Sequence, residues 1–467
     1  MQEAIVTSAK HYNNTFTVFS TEPLNIKSNQ NLSIYDKISF KDINDSNLLL
    51  TNFQVIQKAT PQEFDEILNQ YINHILKKIG FENNKQNLLL KLKNQICNES
   101  IEKIISSLSN ALIEFLKSFI TGSPIIIRFH NDGDGISGAL ALYTAIKDLQ
   151  ENVFQNKNIV WQMQRTIIYD TESFLNDDLF FKNYDTIEKA LLFIIDFGSS
   201  LESINQIIDI NKNYKIIWLD HHQYDDFKIF ETLPYYINSW RFNGDSNITA
   251  GLISYMFSSL ITNKNIDIFK DASLISDHSI YAINNENANQ MSIILDFLTG
   301  TRTYNNLGLS DIYKIVNDEN KMHEIFIHAQ NIINEQINRG LENIKTIHKN
   351  QLYICTLDFE KTKQEYDEEY ILPGRYSSKI HDVISQKHEK LITIVYYGKY
   401  ISVRINKNIS NYVKLLEVLK KVKESSEDVE SCGGHSEAAS IKIKCVDKKI
   451  LNTILLNLIK EFEKCNF

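Results

Sequence analysis

The sequence predicts an α/β protein: a parallel-sheet domain, joined by a long helix to a smaller α/β domain, with a β-rich and then helical region ahead of them. Three observations carry this. From Pro124 onward, apolar runs of strand length (Ile125–Ile127, Ile159–Trp161, Leu191–Ile195, Ile216–Leu219) alternate with helical stretches, the rhythm of a parallel sheet covered on both faces. Ahead of them, short alternating segments give way at Pro61 to helical periodicity. Behind them, helical spacing from Met322 to Ile347 leads into a further set of strands and helices from about Gln351.

A chain of 467 residues exceeds one ordinary core, so two or three domains are expected. The apolar fraction of 43% and charged fraction of 23% are those of a soluble globular protein. No run of about 18 apolar residues suggests a membrane span, and the first residues lack the basic and apolar segments of a secretory signal. The five cysteines (Cys97, Cys355, Cys432, Cys445, Cys465) are scattered without a CxxC pair. That pattern fits a reducing cytoplasm and argues against a zinc ribbon or a disulfide framework. The net charge of -9, with no Lys/Arg block, disfavours an electrostatic grip on long duplex DNA. It favours a small or short ligand, and makes each of the seven arginines of interest as an anion contact.

Taken in order, residues 1–60 hold strand-like segments at Phe16–Phe19, Lys37–Phe40 and Leu48–Val55, a small β-rich module with the character of an oligonucleotide-binding (OB-like) barrel. Residues 61–120 are helical with a break near Gly80; Ile104, Ile105, Leu108, Leu112, Ile113 and Leu116 share a face and are expected in a core. Residues 121–321 form the parallel-sheet domain, with helices from Ser137 to Leu149 and Leu201 to Ile210. Residues 322–350 are the connector helix. In residues 351–467, strands Leu352–Leu357, Leu391–Tyr397, Tyr400–Ile405 and Ala439–Lys444 accompany helix Tyr412–Lys423 and a C-terminal helix.

Acidic and imidazole side chains recur where the parallel strands end. One strand runs into His130-Asn131-Asp132-Gly133-Asp134-Gly135, the next into Asp196, the third into Asp220-His221-His222. Carboxyl ends of strands form the ligand crevice of open α/β sheets. Each piece alone has a plainer reading: a polar turn, a helix N-cap, a chance triplet. Three consecutive strand ends delivering metal-ligand residue types form a convergent set. Asp with His and no thiolate suits Mn²⁺ or a similar divalent ion. Two such ions about 3.5–4 Å apart are the apparatus of phosphoester hydrolysis. Asp132 and Asp134 are expected to serve different ions, while Gly133 and Gly135 would allow close backbone approach.

These motifs resemble those of the DHH phosphoesterase superfamily, which includes RecJ-type single-strand exonucleases, nanoRNases and cyclic-dinucleotide phosphodiesterases. The resemblance runs from about Pro124 to the C-terminus. His130 to Ser137 is similar to the family's first motif, Asp196 to the second and Asp220-His221-His222 to the third. Asp277, in Ala272-Ser273-Leu274-Ile275-Ser276-Asp277-His278, fits the fourth better than Asp245 or Asp271. The resemblance implies that His130 and Asp132 bind a first ion, Asp196 bridges, and Asp134, His221 and Asp277 hold a second. His222 would face the phosphate or the leaving group, with Asp220 orienting the imidazoles. Many members place the first His four residues before the first Asp; here Arg128 stands there and His130 lies two before, as in other members.

The last domain resembles the family's associated substrate domain. Ser431 to Ala439 is similar to its Gly-Gly-His loop, so that Gly433, Gly434 and His435 would cradle a phosphate, with Arg404 in Ser402-Val403-Arg404 as a fixed contact and Arg375 as a second. In the family the substrate lies in the cleft between the two domains. Asn238 either lines the site or is a buried, backbone-satisfied Asn. Phe129, Phe197, Tyr224 and Trp240 would stack bases or, more commonly, fill the core. The reading is thus a hydrolase using two Mn²⁺ ions, with Mg²⁺ or Co²⁺ as substitutes, on single-stranded nucleic acid or short oligonucleotides. A homo-oligomer or a replication or repair partner is compatible with it; a membrane is not. Three alternatives stay open: a cyclic-dinucleotide or other small-phosphoester phosphodiesterase, a metal-free replication scaffold, and a pyrophosphatase or polyphosphatase. Retention of Asp132, Asp134, Asp196, His221 and Asp277 argues against the scaffold, and the Gly-Gly-His loop against the last. Polymer and dinucleotide, RNA and DNA, and the polarity of digestion are not distinguished.

Overall fold

The computed structural model describes residues 2–10, 15–20, 22–28, 32–40, 49–50, 53–96, 98–224, 228, 230, 232–301, 303–304, 306–349, 352–363, 371, 373–434 and 437–465. The chain divides into two compact units, Met1–Leu295 with Leu307–Glu319, and Asp296–Asn306 with Asn320–Phe467. Both are α/β, and the first contains a fully parallel sheet.

The first unit opens with strands β1 (Gln2–Lys10), β2 (Thr15–Phe19), β3 (Pro23–Ser28), β4 (Asp36–Phe40), β5 (Leu49–Leu50) and β6 (Phe53–Lys58). Strand β1 is absent from the sequence reading because Gln2-Glu3-Ala4-Ile5-Val6-Thr7-Ser8-Ala9-Lys10 lacks clean alternation. Among the described residues the strands run β5-β3-β2-β1-β4-β6. β5 pairs with β3 and β6 with β4, so one short stretch of chain meets both edges of the meander, as closure of a barrel requires. Val6, Phe16, Val18, Ile26, Ile38 and Phe40 fill its interior. The opposite face of β1–β3 is occupied within the unit. Thr7 Oγ1 donates to Thr121 O at 2.8 Å and Asn25 Nδ2 to Gln155 O at 2.7 Å. Phe19 meets the edges of Phe64 and Tyr71.

Helix α1 (Pro61–Lys78) starts where proline suits the first turn, capped by the Thr60 hydroxyl, which accepts from Glu63 N at 3.2 Å. Helix α2 (Phe81–Gln95) follows the left-handed Gly80. Helix α3 (Ser100–Ile120) buries Ile104, Ile105, Leu108, Leu112 and Leu116 completely; Ile113 is only half-buried.

Next come β7 (Ile125–His130), α4 (Gly133–Asn152), β8 (Ile159–Gln164), α5 (Thr171–Phe181), β9 (Tyr184–Thr186), β10 (Leu191–Ile195), α6 (Leu201–Asn213), β11 (Lys215–Asp220) and β12 (Tyr236–Asn238). The sheet order is β12-β11-β10-β7-β8, every pair parallel; β9 instead joins the first sheet, pairing with Ser8–Lys10. Helices α7 (Ala250–Ser259), α8 (Asp267–Ser276), α9 (Glu286–Gly300) and α10 (Leu309–Val316) follow. Strands β7, β10 and β11 are buried on both sides, which is why they read as nearly unbroken apolar runs. Leu192, Ile194, Ile216 and Trp218 pack on one face. On the other, Phe193 meets Phe115 of α3 at 6.4 Å and Phe257 of α7 at 5.3 Å.

Helix α11 (Glu319–Asn343) is shorter than the expected connector. Lys345–Lys349 form a strand, β13, because they pair antiparallel with β14 (Leu352–Asp358), and the sheet ladder overrides helical spacing. The second unit then adds α12 (Pro373–Ser385), β15 (Leu391–Tyr397), β16 (Tyr400–Ile405), α13 (Leu415–Glu424), β17 (Val429–Gly434), β18 (Ala438–Ile443) and α14 (Lys448–Glu463). Its sheet runs β13-β14-β15-β16-β18-β17. Ile392, Ile394, Val403, Ile441, Leu419 and Leu458 form its core. Among the described residues no helix of the chain is long and apolar enough to cross a membrane.

Candidate metal centre and phosphate-binding residues

Strands β7, β10 and β11 lie side by side, with Ile195 level with both Phe129 and Leu219. Their next residues, His130, Asp196 and Asp220, therefore emerge together at the carboxyl edge of the sheet. Asp132 and Asp134 arrive differently from expectation. Helix α4 begins at Gly133, four residues earlier than the sequence suggests. Asp132 is its N-cap, accepting from Gly135 N at 3.0 Å, and Asp134 lies in the first helical turn. The start of the helix separates the two carboxylates. Gly135 permits the tight entry, since a Cβ there would stand 2.5 Å from His130 O.

Asp196 adopts a left-handed backbone, φ 67°, and is 1% exposed. Such a conformation is costly for a residue other than glycine and recurs at functional sites. It is not a helix cap; Ser200 holds that place for α6. His130 Nδ1 lies 3.0 Å from Asp132 and 3.7 Å from Asp196. His221 Nε2 lies 3.3 Å from Asp196, 3.2 Å from Asp277 and 3.7 Å from Asp134. His222 Nδ1 lies 2.8 Å from Asp220 and 3.8 Å from Asp196. The side chains sort into three groups with metal-ligand spacing: His130, Asp132 and Asp196; Asp134, His221 and Asp277; Asp196, His221 and His222.

Electrostatics show what this cluster lacks. Burial, then the facing Asp196 and Asp277, push the Asp134 carboxyl well above its ordinary range. Burial and the neighbouring Asp132 also raise Asp196. Among the described residues Asp196 Oδ1 and His130 Nδ1 are buried with ion-pair contacts but no aligned hydrogen bond, an expensive state that a bound partner relieves. The His221 ring makes the same point. Its Nδ1 is 2.9 Å from Ser246 O, a carbonyl that only accepts, so Nδ1 carries the proton. Burial opposes a second proton, but the facing Asp196, Asp277 and Asp134 raise the His221 pKa well above its ordinary value, so Nε2 tends to be protonated toward them. A divalent cation shared with these carboxylates would take that proton's place, and a backbone carbonyl holding the remote nitrogen is the usual support of a metal-binding His.

Asp220 does not join that set. It accepts from the backbone N–H groups of His221 (2.7 Å) and His222 (3.2 Å), from His222 Nδ1, and from the Ser199 hydroxyl. Burial would raise its pKa, but the two imidazoles and Ser199 bring it down to about 2. Trp240 Nε1 donates to His221 O and Asn238 Nδ2 to His222 O, both at 3.0 Å. Asn238 is thus a buried brace of the turn, and Phe129, Phe197 and Tyr224 are core residues. Of the rivals to Asp277, Asp271 pairs with the buried Lys270 at 2.8 Å, and Asp245 accepts from Asn247 N. Arg128 is turned to a different task. It grips Asp177 through Nε at 2.7 Å and Nη2 at 2.6 Å, with Tyr169 also on that carboxylate.

Two supporting residues escaped the sequence reading. Asp134 sits on the N-terminus of α7, accepting from Ala250 N at 3.0 Å and Gly251 N at 2.9 Å, and from the Ser273 hydroxyl. Gly251 has to be glycine, since its Cβ would lie 2.6 Å from Asp134 Oδ1 and from Ser273 Oγ. The apolar lead-in to Asp277 contained Ser273, but nothing in the sequence links it to Asp134.

In the second unit, Arg404 Nε donates to Ser377 Oγ at 3.0 Å, and Ser377 in turn meets Ser402 Oγ at 2.9 Å. Gly433 and Gly434 end β17 with exposed backbone. Gly434 has φ 140° and no room for a Cβ, which would fall 2.4 Å from Ala438 O. His435 lies outside the described residues. Arg375 is held by Asp296, Nε to Oδ1 at 3.0 Å.

Comparison with known proteins agrees with this geometry. Residues 124–298 match the DHH family, N-terminal domain. An uncharacterized protein of Methanocaldococcus jannaschii is 25% identical over 411 residues, 74% of this chain and 52% of the relative. The chain therefore spans about half the length of that curated relative. A solved DHH domain, described as from a member of the s1p family of ribosomal proteins, superposes with a TM-score of 0.70 at 21% identity, covering 85% of this chain and 100% of that one. RecJ of Thermus thermophilus in complex with Mn²⁺ gives a TM-score of 0.48 at 12% identity over 77% of this chain and 54% of its own. The domain at residues 124–298, with its Asp220-His221-His222 turn, is thus similar to the N-terminal domain of the DHH family.

Proposed function

We propose that the chain is a divalent-cation-dependent phosphodiesterase acting on single-stranded nucleic acid or short oligonucleotides. The observation that supports this most is His221, whose Nδ1 is committed to Ser246 O while Nε2 faces Asp134, Asp196 and Asp277 in a buried site. His130, Asp132 and Asp196 would hold one cation, and Asp134, His221 and Asp277 a second. Asp196 belongs to two of the three ligand groups, which suits it to bridge. A carboxylate and imidazole set without thiolate favours Mn²⁺, with Mg²⁺ or Co²⁺ as substitutes. When bound, such a pair polarises a phosphoryl oxygen and activates water near neutral pH.

The rest falls to the chain's own groups. Asp220 accepts a hydrogen bond from His222 Nδ1, which fixes that ring and leaves Nε2 for the phosphate or the leaving oxygen. Asp134 is held on a helix N-terminus, where a negative charge is favoured. Ser377 engages Arg404 Nε, which sets the plane of the guanidinium that would take a phosphate. The exposed Gly433–Gly434 end of β17 would offer a second anion contact. A product-length assay with Mn²⁺ on labelled single-stranded DNA, matched RNA, a dinucleotide and a cyclic dinucleotide tests the reading. Linear strands should be shortened. Cleavage of the cyclic dinucleotide alone would replace the substrate, and cleavage of none would overturn the function.

A further inference from the structure

The turn between β10 and α6 brings a serine onto Asp220. Asp196 and Gly198 both take positive φ, 67° and 95°, and the chain through Phe197 and Ser199 bends toward the end of β11. Trp218 pins the bend: its Nε1 donates to Phe197 O at 2.8 Å, and Gly198 lies against the same indole, where a Cβ would stand 3.0 Å from the ring. Ser199 Oγ then reaches Asp220 Oδ2. On the neighbouring strand, Tyr236 stands level with Trp218 and Asn238 with Asp220. Alternate residues of a strand share a face, so Tyr236 and Asn238 look the same way. Tyr236 OH lies 2.8 Å from Ser199 Oγ and 2.9 Å from Asn238 Nδ2, and Asn238 Nδ2 also donates to His222 O at 3.0 Å.

Donor and acceptor roles along this path are forced. The Asp220 carboxylate only accepts, so Ser199 gives it its one proton. Ser199 Oγ must then accept from the Tyr236 phenol, which accepts from the Asn238 amide. Trp240 N donates to Asn238 Oδ1 at 3.0 Å, which fixes the amide with Nδ2 toward Tyr236 and His222. Burial and the nearby Asp220 hold the Tyr236 phenol far above its ordinary range, so it remains a donor.

We propose that Tyr236 and Ser199, together with Asn238, are positioning residues for His222, holding Asp220 so that the imidazole presents Nε2 to the substrate phosphate. His222 is gripped at two points, its carbonyl by Asn238 and its Nδ1 by Asp220. The path from one grip to the other runs through Tyr236 and Ser199 and closes on itself. A closed circuit of directional bonds admits one arrangement, and removing either hydroxyl leaves a neighbour unpaired. Simple satisfaction of a buried phenol would account for Tyr236 but not for Ser199. That hydroxyl is only half-buried, within reach of water, and is turned to the carboxylate instead. The Tyr236 ring is fixed without its hydroxyl: it stacks on Phe230 at 4.8 Å, meets Trp218 at 4.6 Å and lies under the Arg241 guanidinium at 5.6 Å. Tyr236→Phe therefore deletes the hydroxyl and little else. Neither Ser199 nor Tyr236 belongs to a ligand group. The inference deepens the proposed function, since it rests on His222 serving the reaction.

Two readouts on the full chain separate positioning from support of the fold. In EDTA, the His222 Nδ1 proton should give a far-downfield magnetic resonance signal, assigned by its loss in His222→Gln. Ser199→Ala and Tyr236→Phe should each move or broaden it, and Ser199→Thr, which keeps the hydroxyl, should restore it. With Mn²⁺ and an oligonucleotide, Ser199→Ala should lower kcat about 10- to 100-fold, the usual cost of losing a partner that orients a site imidazole. Tyr236→Phe, one bond further out, should lower it less. KM, Mn²⁺ affinity and melting temperature should hold in both. A signal indifferent to both variants overturns the proposal, as does unchanged kcat in both. A fall in kcat matched by an equal loss of Mn²⁺ affinity also overturns it, because the two residues would then shape the metal centre. If the signal responds but the wild type cleaves nothing with Mn²⁺, the proposed function fails and the positioning stands; cleavage that neither variant alters gives the reverse.

Discussion

Replacing Gly251 by alanine pits helix propensity against the geometry of the site. Gly251 lies in the first turn of α7, and in an open helix alanine is better than glycine by about 1 kcal/mol. The surroundings reverse that expectation. The new methyl would stand 2.6 Å from Asp134 Oδ1 and from Ser273 Oγ, against 3.4 Å for ordinary contact. Something must therefore move by about 0.8 Å, and neither neighbour is the far end of a flexible chain. Asp134 is fully buried and tied to two backbone N–H groups. Overpacking of this kind costs about 1–3 kcal/mol, leaving a net loss of about 0–2 kcal/mol after the propensity gain. The effect on chemistry should be larger, because a misplacement near 1 Å can cost on the order of 10²-fold. Calorimetric titration with Mn²⁺ should show one of two sites weakened tenfold or more, and kcat/KM on an oligonucleotide should fall about a hundredfold. An alanine variant with higher melting temperature, unaltered Mn²⁺ affinity and full activity would refute the cradle assigned to Asp134.

Arg128→Met leaves Asp177 buried without its cation. Breaking such a pair costs roughly 3–5 kcal/mol, so the denaturation midpoint should fall sharply while kcat per folded molecule holds; a large loss of kcat at unchanged stability would make Arg128 part of the site instead. Adding Mn²⁺ at about 100 times its dissociation constant should stabilise the wild type by about 2.7 kcal/mol, read as a rise in melting temperature that EDTA reverses. A melting temperature indifferent to Mn²⁺, Mg²⁺ and Co²⁺ would count against the metal centre. Ser377→Ala should raise KM for oligonucleotides with kcat preserved, since it frees the Arg404 guanidinium to rotate; equal effects on both would assign Ser377 to the fold alone.

The parts of this protein that were legible in its sequence are those set by local pattern. Ile125–Ile127 and Leu191–Ile195 read as buried parallel strands because both of their faces are covered, and an apolar run records that directly. The residues that cap those strands could be read from the same pattern, since a strand end has one direction. Features decided by distant partners could not. Strand β1 takes its place from β2, β4 and β9, not from its own mixed composition. Helix α11 stops at Asn343 because β14 claims the residues after it. Gly251 and Ser273 lie more than 100 residues from the Asp134 they support, so no local signal marks them.

The central claim is that a buried carboxylate and imidazole cluster around Asp196 performs cation-dependent phosphodiester hydrolysis. Asp196→Asn tests it most directly, because the substitution keeps the shape and removes the charge. Mn²⁺-dependent cleavage of a labelled single-stranded oligonucleotide should fall roughly a thousandfold or more, corresponding to several kcal/mol of lost stabilisation. In EDTA the melting temperature should stay level or rise, since one of several facing buried carboxylates has become neutral. Cleavage at the wild-type rate in that variant, with Mn²⁺ still raising its melting temperature as before, would contradict the account.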